Sequence, residues 1–115
     1  MKPKFQADAD LNPRIGRGLL RLEPSIDFRA AAGVIADGTP DLEVLRIAAA
    51  AGRVLISCDL KTMGGHFERF VARRESPGLL LIPRFKPMGA SIEGLLFVWL
   101  EWTAEEMQNQ IRWLP

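Results

Sequence analysis

Four aspartates and a short polar turn hold most of the chemistry this sequence could perform. Asp8 and Asp10 follow the segment "KFQA", Asp41 opens "DLEVLRIAAAAG", and Asp59 lies in "LISCDLKTM". The last stretch also carries the only cysteine, Cys58, and a lysine, Lys61. Carboxylates brought together repel one another unless a cation is present. Hard divalent ions take oxygen ligands, and Mg²⁺ commonly binds a few carboxylates and keeps several waters. A site of that kind can activate water and clamp a phosphodiester. Cys58 as a nucleophile would need a lowered pKa and a base. The only histidine, His66, is close in sequence and could supply one. No Walker loop, GxGxxG, CxxC pair or HExxH occurs, so nucleotide-fold and zinc readings have no support.

Each of these residues also has an ordinary explanation. Asp8 could cap the turn before Pro13, Asp41 could be a helix-start charge, and Asp59 could be a turn former. Cys58 reads as a small buried hydrophobe, and His66 as a helix-entry residue. Trp99, Trp102 and Trp113 read as core or interface rather than a base-stacking platform. Arg14, Arg17, Arg73, Arg74, Arg84 and Lys86 could form a phosphate-binding rim or a solvated surface. Three aspartates at one edge of a sheet shift the balance toward a metal or phosphate site.

That shared edge follows from the elements. "KFQA" is a short strand, and Pro13 suits the first turn of a helix carrying Ile15, Leu19, Leu20 and Leu22. Gly16 and Gly18 each weaken that helix by ~1 kcal/mol relative to Ala. "SIDFRA" is a weak strand, and "AAGVIADG" is ambiguous between helix and loop. "TPDLEVLRIAAAAG" is the clearest helix, with Thr39 as cap, Pro40 at the first position and Gly52 ending it in the left-handed region. "RVLIS" and "GLLLIP" read as strands buried on both faces. "GGHFERFVARRE" is a turn and a short helix, and "ASIEGLLFVWLEW" is a longer one. "TAEEMQNQIRWLP" starts with a capping box, Thr103 with Glu106, and ends in a short strand, "IRWL".

Strands alternating with helices predict an α/β fold over one domain, residues 1–115, with a mostly parallel sheet covered by helices on both faces. Ligands in such sheets sit beyond the carboxyl ends of the strands. Asp8 and Asp59 are at those ends. A helix antiparallel to its strand starts level with the strand's carboxyl end, so Asp41 shares the edge. Asp41, Val44, Leu45 and Ala48 also share one helical face, the apolar one. Glu43 lies on another face, with Arg46 beside it. If the backbone alternates past "RVLIS", Cys58 and Asp59 point to opposite sides, and if "KFQA" continues extended, Asp10 faces the same way as Asp8, about 7 Å further along.

Composition restricts the classes. The chain has 115 residues, 48% hydrophobic and 25% charged, with a net charge of +1. No global basic field marks a nucleic-acid binder, although a local patch remains open. One cysteine cannot make an intramolecular disulfide, which suits a reducing compartment. "MKPKFQADAD" lacks the apolar run of a signal peptide. The apolar run "GLLFVWL", bounded by Glu93 and Glu101, is far shorter than the roughly 20 residues of a membrane span. These features predict a cytoplasmic protein without a membrane segment.

Three stretches in order, "FQADADL", "PDLEVLRIAAAAGRVLISCD" and "ESPGLLLIP", resemble the DUF5615 family of PIN-like proteins over roughly residues 4–100. The resemblance implies a PIN-like three-layer α/β/α fold. PIN domains are typically Mg²⁺- or Mn²⁺-dependent ribonucleases, and many are toxins of toxin–antitoxin pairs. It therefore implies RNA as substrate and an antitoxin-like protein as partner. Residue by residue, Asp8 matches the first acidic position, Asp41 the acid opening the central helix, and Asp59 the first acid of a T-x-D-x-D-F pattern. Asp10 stands where a polar residue is common. Lys61 departs from the pattern, replacing its second acid.

Two consequences of Lys61 are open. It could offset carboxylate repulsion and weaken metal affinity, or it could bind a substrate phosphate as a point charge. The leading expectation is a ribonuclease with Asp8, Asp41 and Asp59 as metal ligands and catalytic residues. Lys61, Asp10 and Arg14 would then be substrate contacts. The competing expectation is a catalytically degenerate binding protein on the same fold, acting through an antitoxin-like partner or a second copy of itself as a homodimer. Its surface would be the apolar C-terminal helix with Trp99 and Trp102.

Overall fold

A computed structural model describes residues 1–114. Along the chain the elements are β1 (Phe5–Ala7), α1 (Pro13–Leu22), β2 (Phe28–Arg29), α2 (Asp41–Ala50), β3 (Val54–Ser57), α3 (Met63–Val71), β4 (Leu79–Leu81), α4 (Met88–Glu101), α5 (Ala104–Met107) and β5 (Ile111–Trp113). The strands form one sheet in the order β2-β1-β3-β4-β5. Every pairing is parallel, so the sheet is fully rather than mostly parallel.

The alternation of strand side chains divides the core in two. Phe5, Ala7, Val54, Ile56, Leu80 and Ile82 pack with Ile15 and Leu19 of α1 and Leu95 and Val98 of α4. Leu55, Leu79 and Leu81 pack on the other face with Val44, Leu45 and Ala48 of α2 and Met63, Phe67 and Phe70 of α3. This makes the three-layer α/β/α arrangement. The strands carry apolar residues at both parities because both faces are covered.

The two glycines of α1 act as packing positions. A Cβ on Gly16 would collide with the Phe28 ring, and one on Gly18 would lie 2.5 Å from Ile92 of α4. Their helix-propensity cost is thus offset by close approach of α1 to β2 and α4. α2 starts one residue later than its cap signal predicts. Pro40 occupies the cap position, and the Thr39 hydroxyl instead donates to the Ala36 carbonyl, 2.7 Å away. Gly52 does take the left-handed conformation, φ 67°.

The tryptophans Trp99 and Trp102 pack partly buried against the core. Each faces a cation, Lys2 over Trp99 and Arg112 over Trp102. The exposed apolar side chains of α4 are instead Phe97 and Leu100. Among the described residues, no helix is long and apolar enough to cross a membrane.

Candidate functional site: a carboxylate cleft at the β1/β3 switch point

The chain leaves β1 for β2 on one side and later returns to β3 on the other, so β1 and β3 form the point where strand order reverses. Ligand crevices in parallel sheets open there, because the loops leaving the two strands go to opposite faces. The loop after β1 leads to α1, and the loop after β3 leads to α3. Between them is a cleft of about 200 Å³ lined by Asp8, Asp10, Asp37, Asp41 and Asp59, with Ala9, Ala36, Gly38 and Thr39. Among the described residues, no basic side chain lines it.

Asp8 is the first residue past β1, and its N–H still bonds the Ile56 carbonyl at 2.9 Å. That bond keeps it in the sheet plane, with only 8% of its surface exposed. Its Oδ1 accepts the Ala9 N–H at 2.7 Å. Burial, with the nearby charge of Asp10, raises its carboxyl above the ordinary range.

Asp10 is not on an extended continuation of β1. The chain turns at Ala9 and Asp10, closed by the Leu11 N–H to the Asp8 carbonyl at 3.1 Å. The turn carries Asp10 toward β3, where Oδ1 accepts the Cys58 N–H at 3.3 Å. Its Oδ2 lies 3.5 Å from the Arg84 guanidinium. Burial still raises its carboxyl overall, against the pull of those two partners.

Asp59 behaves as a turn former that also faces the cleft. Its Oδ1 accepts the N–H groups of Lys61 and Thr62 at 3.1 and 3.0 Å, and its Oδ2 accepts the Thr62 hydroxyl. The Thr62 hydroxyl, aided by those N–H groups, holds the Asp59 carboxyl below the usual range. The same hydroxyl stands 3.1 Å from Oδ2 of Asp41. His66 reaches Asp41 as well, Nε2 to Oδ2 at 3.7 Å, while Arg69 lies 2.8 Å from Nδ1. A guanidinium only donates, so Nδ1 accepts and the ring proton sits on Nε2, toward Asp41.

The three aspartates expected at one edge therefore line one cleft, with Asp10 beside them. Arg14 does not join them: it is exposed on the first turn of α1, outside the cleft lining. Lys61 is also outside. It lines an adjoining cavity with Cys58, Asp59, Leu60, Arg84 and Phe85. Its ammonium does not neutralise the carboxylates from within. Glu43 is exposed and paired with Arg46, as its helical face predicts.

Cys58 packs into the α1/α4 core. Burial, then the Asp10 charge, pushes its thiol up to about 11. A thiol so placed stays protonated at neutral pH and makes a poor nucleophile.

Asp37, Thr62 and Arg84 are site residues that sequence reasoning passed over or left on a generic rim. Asp37 sits in the ambiguous "AAGVIADG" loop, where no periodicity assigns a direction. Thr62 stands three residues after Asp59, a spacing that could have flagged an Asx-type turn. Arg84 follows the second apolar strand and so belongs to the carboxyl edge, a signal available from topology.

The donor set is all oxygen, matching the preference of Mg²⁺ or Mn²⁺. Uncompensated charge on buried Asp8 also favours a cation there. Among the described residues, however, no three His, Cys, Asp or Glu side chains converge as a ready ion cage. The carboxylates ring the cleft rather than meet at a point, a layout that suits an ion held partly through water. A roomier cleft of about 390 Å³ lies at the opposite edge, lined by residues such as Ala49, Ser76 and Gln108. It is at the amino ends of the strands and carries no comparable cluster. No family model, no curated protein and no solved structure matches this chain.

Proposed function

We propose that the protein is a divalent-cation-dependent phosphodiesterase of PIN-like type that cleaves RNA. One observation carries this reading: five aspartates line a single cleft at the β1/β3 switch point with no basic side chain among them. Asp8, Asp41 and Asp59 would hold Mg²⁺ or Mn²⁺, with Asp10 at the rim. The ion would supply Lewis acidity toward phosphodiester oxygens and make water easier to deprotonate. Thr62 positions Asp41 and Asp59 relative to each other, and Asp8 is fixed by its bond into the sheet. Lys61 and Arg84, on the far side of Asp59, offer positive charge to a phosphate. Purified protein incubated with RNA and Mn²⁺ tests the reading, since cleavage must appear and must vanish in Asp8→Asn and Asp59→Asn. Cleavage that survives both substitutions would sink it.

A toxin role, with an antitoxin-like partner, is the cellular setting that the sequence resemblance suggests for such an activity. A second reading has its own support. Asp41 and Asp59 already share the Thr62 hydroxyl, and the carboxylates do not converge. That geometry suits a quiet binding protein acting through a partner or a second copy. Calorimetric titration separates the two, because no binding of Mg²⁺ or Mn²⁺ at millimolar levels favours the second.

A further inference from the structure

We infer that the cavity between the β3 and β4 exits is a single-strand subsite in which Phe85 stacks an unpaired nucleobase and Lys61 and Arg84 take the adjoining phosphate. The inference rests on the phosphodiesterase reading and names the substrate as single-stranded.

Phe85 is 87% exposed, more than any other large hydrophobic residue described. It lies in the loop after β4, on the same sheet edge as the carboxylates. Folding gains nothing from a phenyl ring held in water. An aromatic face flanked by cations is the pairing that single-strand binders use, with stacking on the ring and electrostatic contact to the backbone. Arg84 precedes Phe85 and Lys86 follows it. Lys61 lines the same cavity, and its ammonium makes no hydrogen bond or ion pair among the described residues.

The cavity measures about 390 Å³ and is lined by Cys58, Asp59, Leu60, Lys61, Arg84 and Phe85. That falls within the ~300–1,000 Å³ usual for ligand sites. Leu60 and Phe85 give it apolar surface, and Lys61 and Arg84 give it positive charge. Asp59 belongs to this cavity and to the carboxylate cleft alike. A strand anchored at Phe85 would therefore run past Asp59 into the carboxylate cleft. Lys86 extends the basic wall into a neighbouring recess with Asp10, Asn12 and Arg84. Trp99 and Trp102 already face Lys2 and Arg112, and the other exposed aromatics, Phe97 and Trp113, lie on α4 and β5 outside this cavity. A duplex keeps its bases stacked inside and offers none to Phe85, so the site selects unpaired strands.

The test measures binding of a short fluorescein-labelled oligouridylate by anisotropy, in chelator so that no cleavage occurs. Phe85→Ala should weaken binding about 5- to 100-fold, the usual loss of one stacked base. Phe85→Trp should restore it. Lys61→Ala and Arg84→Ala should each reduce the slope of log K against log salt by about 0.7. A duplex of equal length should bind more weakly and be indifferent to Phe85→Ala. Thermal melts should be unchanged, given the exposure of Phe85. Wild-type affinity in Phe85→Ala, equal losses for strand and duplex, or no binding by the wild type would each overturn the inference. Cleavage assays separate the two ideas. Phe85-dependent binding without Mn²⁺-dependent cleavage would leave the subsite standing and remove the nuclease. Asp8-dependent cleavage with an unchanged KM in Phe85→Ala would do the reverse.

Discussion

The Thr62 hydroxyl lies 3.1 Å from Oδ2 of Asp41, a residue 21 positions earlier in the chain. It also meets Oδ2 of Asp59. One hydroxyl has one proton, so it can donate to only one of these carboxylates at a time. Donating to either in turn, it links the start of α2 to the turn before α3.

Thr62→Val should uncouple that pair. The Asp59 carboxyl loses the main cause of its lowered pKa, so the acid limb of the cleavage profile should move to higher pH. Activity should fall about 10- to 100-fold, the usual effect of removing a group that orients a metal-binding carboxylate. Thr62→Ser should recover most of it. Equal pH profiles for wild type and Thr62→Val would show that the hydroxyl positions nothing.

Asp8 should limit stability in the absence of metal. Its folded pKa is raised by burial and by Asp10. Between the unfolded and folded values the native state holds more protons than the unfolded chain. The contribution of protonated Asp8 is therefore complete below the unfolded pKa and is lost as pH rises through the folded one. Asp8→Asn removes the charge, so in chelator at neutral pH it should stabilise the protein by about 0.5–2 kcal/mol. It should also flatten the decline in stability between acid and neutral pH. Urea denaturation across that range measures both, and a less stable variant at neutral pH would contradict the burial of an uncompensated charge.

Mn²⁺ should raise the melting temperature of the wild type. An ion bound only by the native state stabilises by about 2.7 kcal/mol at a hundred times its Kd. The gain should vanish in the Asp8→Asn/Asp59→Asn double variant. Thermal melts with and without chelator provide the comparison, and an equal shift in both proteins would place the ion elsewhere.

Gly78→Ala should be among the most damaging small substitutions. Gly78 enters β4 with φ 129°, and a Cβ there would lie 2.5 Å from the Met107 carbonyl oxygen. Backbone strain of this kind costs roughly 1–3 kcal/mol, with overpacking added to it. Gly89→Ala, where a Cβ meets nothing within 4 Å, is the control and should gain about 0.5–1 kcal/mol of helix stability. Similar denaturation midpoints for the two variants would refute the steric account.

Local patterns in the sequence determined much of this protein. The apolar runs within Val54–Ser57 and Leu79–Leu81 marked strands covered on both faces. The spacing of Asp41, Val44, Leu45 and Ala48 put Asp41 on the buried stripe of α2, where the last three are buried. The alternation of strands and helices then put Asp8, Asp41 and Asp59 at one edge. These features depend on neighbours a few residues apart, through backbone preference and side-chain period, so a sequence carries them openly.

Tertiary structure decided the rest. The turn that swings Asp10 to the Cys58 N–H, the entry of Asp37 into the cleft and the shared hydroxyl of Thr62 all join segments distant in the chain. Lys61 shows the limit most clearly: its position beside Asp59 was plain, yet only the packed loops sent it into the cavity with Arg84 and Phe85. Gly16 and Gly18 read as helix defects until Phe28 and Ile92 came against them. A loop or a small residue takes its role from what the fold brings to it, and that information lies in contacts rather than in spacing along the chain.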